Sequence, residues 1–290
     1  MRVDELLVVR VLWATSPLLV GPAVAHALRE AGPGVQALST VGLWTGWALV
    51  LFAALVPRVP TLTMLRCGVA AGVATSAAAT VAGEATGVQV AALALTAATL
   101  VAALSPTVGD LFVDGSSYGP ERRFTLRVPL VLAALAVPLA WAVATAGVAA
   151  GPLLVADQQW VAGATATAVG WPLAVVSTRA LHGLARRWIV FVPAGFVVHD
   201  PMTLREPVLV GRSTLLALGP APAGTSARDL TQGASGLALE ARLAEPTPMT
   251  LLRPGRAAEG ELAVDRFLFT PSRPGSLLDE AAGRRLPVGR

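Results

Sequence analysis

Long apolar stretches dominate the first 180 residues of the chain, and short polar segments interrupt them. A helix needs roughly 20 apolar residues to cross a bilayer core about 30 Å thick. Six stretches meet or approach that length: Leu6–Leu28, Ser39–Pro57, Cys67–Gly83, Gly87–Pro106, Val128–Ala150 and Trp160–Thr178. We therefore predict a membrane all-α bundle of about six transmembrane helices over residues 1–180. The third and fourth are expected to form a tight hairpin around Glu84.

The arginines support this count. With six helices, all the arginines in the connections except Arg29 fall on one side: Arg2, Arg58, Arg66, Arg122, Arg123, Arg127, Arg179, Arg186 and Arg187. Short loops rich in Arg remain in the cytoplasm. The sequence thus predicts a multi-pass protein of the cell membrane with both termini in the cytoplasm.

A cleaved signal peptide is the alternative for the N-terminus, because Ala23-Val24-Ala25 offers a small-residue cleavage pattern. Asp4 and Glu5 make the preceding segment less basic than a signal peptide requires, and Arg10 interrupts its apolar run. The sequence leaves open whether this segment is cleaved.

From Arg186 the pattern changes to short β-rich runs separated by Pro, Gly, Ser and Thr. The predicted strands are Arg187–Val192, Phe196–His199, Pro207–Leu218, Leu237–Leu243, Pro248–Leu252 and Leu262–Phe269. Pro193-Ala194-Gly195 joins the first two as a hairpin, and Gly275–Arg285 has helical character. We predict a small β-rich cytoplasmic domain with a C-terminal helix over residues 185–290, able to fold alone.

Composition agrees with a membrane protein. Of the 290 residues 54% are hydrophobic and only 14% are charged, whereas soluble domains carry about a quarter charged residues. All 22 basic residues are arginines, the formal charge is only +4, and no basic stretch is interleaved with aromatics. Nucleic acid is therefore not an expected partner.

Candidate chemistry is sparse. Ionisable residues within membrane spans are functional candidates, but Arg10, Arg66 and Glu84 fall near predicted span ends. Gln89 is expected to make an interhelical hydrogen bond.

The three histidines have no ligand spacing, which argues against a metal site. The Gly-x-Ser-x-Gly match at 115–119 lies in a loop, whereas a nucleophile elbow needs a strand before it and a helix after it. We predict no catalytic residues, cofactor or metal, and no enzymatic activity.

The connection between the fourth and fifth spans has the most varied polar groups of any loop. Its candidate interaction residues are Asp110, Asp114, Tyr118, Glu121, Arg122 and Arg123. One interpretation is an ordinary loop whose arginines anchor it at the membrane. The other is a docking surface for the chain's own tail or for a partner. We expect residues 110–124 to contact the β domain, with Tyr118 as a buried anchor.

The hairpin RWIVFV–PAG–FVVHD and the closing segment PSRPGSLLDEAAGRR resemble the bacterial pleckstrin-homology-like domains of multi-pass membrane proteins. DGSSYGPERRF is similar to a stretch of actinobacterial membrane proteins, a resemblance that brings no known activity. The domain resemblance implies contact with proteins or lipid headgroups rather than catalysis.

These observations predict an assembly or interaction component of the cell envelope whose cytoplasmic domain binds partners. Its expected partners are the lipid bilayer and other membrane proteins. The alternative is a small transporter or permease component, because Pro17, Pro22, Pro138 and Pro172 are positioned to kink the spans. Oligomeric state, substrate and partner identity stay open.

Overall fold

The computed structural model describes residues 2–82, 85–252 and 260–289. The chain divides into two compact units. The first comprises Met1–Gly109 and Ala136–His182, and the second comprises Asp110–Leu135 and Gly183–Arg290. The chain therefore passes between the units three times, and the segment after the fifth helix belongs with the C-terminal residues.

The first unit consists of helices. In chain order they are α1 (Arg2–Thr15), α2 (Pro17–Ala27), α3 (Pro33–Leu55), α4 (Val59–Ala82), α5 (Gly87–Ala103), α6 (Pro106–Asp114), α7 (Val137–Ala156) and α8 (Trp160–Ala185). Two of them, α6 and α8, end within the second unit. Five helical segments of the described chain are long and apolar enough to cross a membrane, or six if α5 and α6, bent by 58°, form one broken span. Apolar helices followed by a β-rich region confirm the predicted layout.

The first predicted span is confirmed as a candidate span, Glu5–Ala27. Within it Pro17 interrupts the helical hydrogen bonding and separates α1 from α2. Proline has no N–H, so the Trp13 carbonyl loses its usual partner four residues on. The backbone N–H of Ser16 donates to that carbonyl at 3.1 Å, and so does the indole Nε1–H of Trp47 at 3.1 Å. Trp13 Nε1 donates in turn to the Trp47 carbonyl at 3.0 Å, which links α1 to α3.

The third predicted span was placed too late. Helix α4 begins at Val59, where the side chain of Thr61 accepts a hydrogen bond from the Arg58 backbone at 2.9 Å. Arg66 consequently lies within the helix rather than near its end. Gln89 makes the expected interhelical bond, because its amide donates to the Ala79 carbonyl of α4 at 2.9 Å. Glu84, in the predicted turn between these helices, lies outside the described residues.

Helices α7 and α8 approach closely through glycines. A Cβ added to Gly170 would lie 2.6 Å from the Gly147 carbonyl oxygen, and one added to Gly163 would lie 2.8 Å from the Val155 nitrogen. Such contacts need small residues because backbones can meet only where no side chain intervenes. Before α7 a π-helical turn covers Leu132–Ala136, directly ahead of Pro138, whose missing N–H disturbs the regular pattern.

The second unit contains two four-stranded sheets and a terminal helix. Its strands are β1 (Arg122–Thr125), β2 (Trp188–Val192), β3 (Gly195–His199), β4 (Val208–Gly211), β5 (Leu215–Pro220), β6 (Arg228–Asp229), β7 (Leu239–Thr250) and β8 (Glu261–Phe269). The sheet orders are β1-β2-β3-β4 and β5-β7-β8-β6. Helix α9 (Pro274–Gly283) buries Leu277 and Ala281 in the core that the strands share.

The β2–β3 hairpin, β8 and the terminal helix are confirmed. The predicted strand Pro207–Leu218 was wrong as a single element, because a turn closed by Thr214 N–H and the Gly211 carbonyl divides it between the two sheets. The two candidates at 237–252 form one long strand, β7, with a register shift between Arg242 and Thr247. Strand β1 lies in a segment that was predicted to be a loop.

Candidate functional site

The connection between α6 and α7 supplies an edge strand of the β domain. Strand β1 pairs antiparallel with β2 from Arg122 opposite Phe191 to Thr125 opposite Trp188. Phe124 is 2% exposed and Leu126 6%, and both belong to the core of the domain. The rings of Phe124 and Phe191 meet edge to face at 5.9 Å. The predicted contact between residues 110–124 and the β domain is confirmed, although as strand pairing rather than surface docking.

Two acids of α6 satisfy the outer edge of this strand. The Leu126 N–H donates to the carbonyl of Arg187, the residue before β2, at 3.0 Å. Since successive N–H groups along a strand point in opposite directions, those of Arg123 and Thr125 point away from β2. Asp114 Oδ1 accepts from Arg123 N–H at 2.9 Å, and Asp110 Oδ1 accepts from Thr125 N–H at 2.9 Å. Four residues along a helix rise about 6 Å, and two residues along a strand span about 6.6 Å. The carboxylates therefore replace the carbonyls of a neighbouring strand.

Asp110 is the more constrained of these acids. Its Oδ1 also accepts from the Thr125 hydroxyl at 2.7 Å, while its Oδ2 is buried without a hydrogen bond and lies 3.8 Å from Nη1 of Arg273. Asp110 is 3% exposed, so it holds the strand edge from a buried position.

The remaining charged candidates of this loop pair with one another. Arg122 contacts Asp114, and Arg123 lies 3.2 Å from Glu121. The Arg123 guanidinium also sits 5.6 Å from the Trp188 ring centre. Together with the α6 contacts, these interactions use the acids and arginines mainly to hold β1 in place.

Tyr118 was wrongly expected to be buried: it is 82% exposed. Phe124 and Leu126 occupy the apolar interior instead, and Tyr118 lies at the tip between two turns. One turn is closed by Ser117 N–H and the Asp114 carbonyl at 2.8 Å, and the other by Glu121 N–H and the Tyr118 carbonyl at 3.1 Å. An ordered loop therefore displays the chain's only tyrosine to the surroundings.

Sequence reasoning missed a buried ion pair at the start of the domain. Arg187 donates through Nε and Nη2 to the two carboxylate oxygens of Asp200, each at 2.8 Å, and both side chains are 1% exposed. Arg187 Nη1 also donates to the Arg127 carbonyl at 2.9 Å, beside the end of β1. An acid thirteen residues after an arginine gives no local signal, and only the β2–β3 pairing brings them together.

Neither a metal cluster nor a nucleophile elbow occurs in the part of the chain that the structure describes. No group of three or more His, Cys, Asp or Glu side chains among the described residues is arranged to hold a metal. The Gly-x-Ser-x-Gly match at 115–119 follows helix α6 and precedes strand β1, the reverse of the order that a nucleophile elbow requires.

Two arginines of the helical unit bind the ends of neighbouring helices. Arg10 Nε donates to the Ala54 carbonyl at 3.0 Å, and Arg66 Nε donates to the Ala103 carbonyl at 3.2 Å. Those carbonyls belong to the last turns of α3 and α5, where helices leave acceptors unsatisfied. The two arginines also oppose the negative end of each helix dipole.

Comparison with known protein families, with curated proteins and with solved structures gives no match for this chain. Function must therefore be inferred from the residues and their geometry.

Proposed function

We propose that the chain is a non-enzymatic protein of the cell membrane that assembles with other envelope proteins through its cytoplasmic β domain. Its termini lie in the cytoplasm, as the arginine distribution favours. The domain is pleckstrin-homology-like, a proposal supported by its two packed sheets, in orders β1-β2-β3-β4 and β5-β7-β8-β6, and by its closing helix. Catalysis is not part of this proposal.

The observation that carries the proposal is the display of Tyr118. Tyrosine is enriched at the centres of protein interfaces because it offers a large apolar ring and a polar tip. The turns on both sides of Tyr118 restrict its backbone, and Ser117 Oγ donates to Asp114 Oδ1 at 3.1 Å. A contact residue already held in place loses less conformational entropy on binding.

The β domain also exposes apolar side chains other than Tyr118. Leu209 in β4 and Leu216 in β5 are each more than half exposed. They give a partner apolar area in addition to the tyrosine, although neither is held between turns as Tyr118 is.

Affinity purification of the full chain in mild detergent, with quantification of the co-purifying proteins, tests this proposal. Tyr118→Ala should deplete a specific set of proteins about tenfold or more, as expected for an interface hot spot. Tyr118→Phe keeps the ring and should retain most of that set.

Leu237→Ala serves as the matched control, since it removes an exposed apolar side chain outside the 110–124 loop. If the tyrosine-to-alanine variant co-purifies with the same proteins in the same amounts as the unaltered chain, Tyr118 is not a contact residue. The assembly proposal then loses its support.

A transporter or permease component is the second candidate, and the break between α5 and α6 favours it. The pair is bent by 58°, and broken spans line substrate sites in transporters. However, the Ser105 hydroxyl at the break accepts from Val108 N–H at 3.2 Å and donates to Glu5 at 2.8 Å. The Ser105 hydroxyl therefore already has hydrogen-bond partners within the protein, which argues against a role in binding a substrate.

Ser76 allows a direct test of this candidate, since its hydroxyl is buried in α4 without a hydrogen-bond partner. A Ser76→Cys variant in a Cys67→Ser background should stay unreactive toward a water-soluble maleimide if α4 packs as a simple bundle helix. Rapid labelling would indicate a water-filled path and favour the transporter.

A further inference from the structure

A groove of about 410 Å³ lies on the surface of the α7–α8 pair. Its lining residues are Val148, Trp171, Ala174, Val175, Thr178 and Arg179. All are apolar except the last two, which stand together near the C-terminal part of α8. The groove therefore combines an apolar floor with one charged end.

The α8 residues that line the groove lie along one face of that helix. Trp171, Ala174, Val175, Thr178 and Arg179 recur at intervals of three or four, so they share one face of the helix. The eight helical steps from Trp171 to Arg179 extend about 12 Å, while one leaflet of a bilayer core is about 15 Å thick. The groove thus has the length of most of one leaflet. It is hollow beside Ala174 because the neighbouring contact of Gly147 and Gly170 contributes no side chains.

Arg179 lacks a protein partner in the described chain. It is exposed and makes neither a hydrogen bond nor an ion pair with any described residue. By contrast, Arg10 of the same unit donates to a helix carbonyl. A guanidinium near a membrane surface is attracted to anionic headgroups and matches the geometry of a phosphate.

We propose that this groove binds an anionic phospholipid, with one acyl chain along Trp171 and Ala174 and the phosphate on Arg179. The proposal rests on the membrane location and cytoplasmic C-terminus given above, which place Arg179 toward the cytoplasmic leaflet. An apolar groove that ends at one unpaired cation therefore matches a lipid, which has apolar tails and one anionic headgroup.

Native mass spectrometry of the full chain, released from detergent micelles with added lipid, tests the proposal. The probes are phosphatidylglycerol and phosphatidylcholine with identical acyl chains. The unaltered protein should retain one phosphatidylglycerol in preference to phosphatidylcholine. Arg179→Gln should weaken phosphatidylglycerol binding about tenfold, as expected from the loss of one charge-assisted hydrogen bond, and should abolish the preference.

Two further variants separate the headgroup contact from the acyl-chain contact. Thr178→Trp fills the groove from an exposed position and should lower retention of both lipids. Arg186→Gln removes the same charge from an exposed arginine that does not line the groove, and should leave retention unchanged.

Equal retention of both lipids by the unaltered protein, or an equal effect of Arg186→Gln and Arg179→Gln, would overturn the proposal. So would a dimer that dissociates on Thr178→Trp, since a second copy would then occupy the groove. Failure of the membrane location itself is distinguishable, because the protein would then be absent from the membrane fraction before any lipid is added.

Discussion

The C-terminal residues should not fold stably without the segment that supplies β1, because that segment belongs to the same compact unit. This prediction is contrary to the sequence-based expectation that residues 185–290 fold alone. A chain of residues 183–290 lacks Phe124 and Leu126, which are 2% and 6% exposed in the intact protein. Full burial of such side chains contributes about 1.5–3 kcal/mol each, so their loss removes roughly 3–6 kcal/mol. Domains of this kind are stable by only about 5–15 kcal/mol. We therefore expect residues 183–290 to melt at low temperature or without a cooperative transition.

A fused chain should restore stability. Thr125 pairs with Trp188, so the ends of β1 and β2 are strand neighbours about 5 Å apart. Residues 106–128 can then be joined to residues 186–290 through a short Gly-Ser linker in place of α7 and α8. Circular dichroism should show β structure and a cooperative thermal transition for this fusion.

Phe124→Asp within the fusion provides the matched control, because it keeps the length and linker but places a charge in the core. It should melt like residues 183–290 alone. A synthetic peptide of residues 106–128 should also raise the melting temperature of residues 183–290 in a saturable manner. Identical cooperative melting of the short chain and the fusion would refute this account of β1.

Three further predictions concern other parts of the molecule. Asp200→Asn leaves Arg187 buried without a counter-charge and should lower the free energy of unfolding by about 3–5 kcal/mol, measured by denaturant titration of the fusion. Gly170→Leu puts a side chain where a Cβ alone would lie 2.6 Å from the Gly147 carbonyl oxygen, and should lower the melting temperature of the full chain in detergent. A reporter that works only in the cytoplasm should be active after the C-terminal residue and inactive when inserted at Asp157; the opposite pattern would reject the proposed topology.

The candidate membrane helices were predictable because a membrane span requires a long continuous apolar run, which the sequence shows directly. Their exact limits were not, because tertiary contacts decide them. Arg66 looked like the boundary of a span, yet α4 begins seven residues earlier at Val59. Its guanidinium reaches the Ala103 carbonyl of α5, and no local pattern reports that partner.

Strand β1 escaped prediction for a similar reason. Its four residues, RRFT, include two arginines, and its pairing partner follows the whole α7–α8 pair. The sequence pattern that indicates a strand here is short: Phe124 and Leu126 alternate with polar residues, as in a half-buried strand. The spacing of Asp110 and Asp114 by one helical turn was a second signal, but their acceptor role depends on a strand that had not been recognised.

The candidate site was located correctly as a stretch but not residue by residue. Residues 110–124 stood out because they contain many different polar side chains, and the structure joins that stretch to the β domain. Side-chain type alone did not separate the charged residues that hold β1 in place from the exposed Tyr118. Burial distinguishes them, since Asp110 is 3% exposed and Tyr118 is 82% exposed.

The position of β1 also constrains the order in which the protein can fold. Antiparallel neighbours such as β1 and β2 need only a two-residue turn, yet here both α7 and α8 lie between them in the chain. The entropic cost of closing so long a loop grows only slowly with length, and the glycine contacts of α7 and α8 bring its two halves together. During synthesis β1 emerges first, but it cannot pair until α8 is complete and β2 has followed. The first sheet of the β domain therefore forms only after α8 has been made, which couples completion of the β domain to completion of the helical unit.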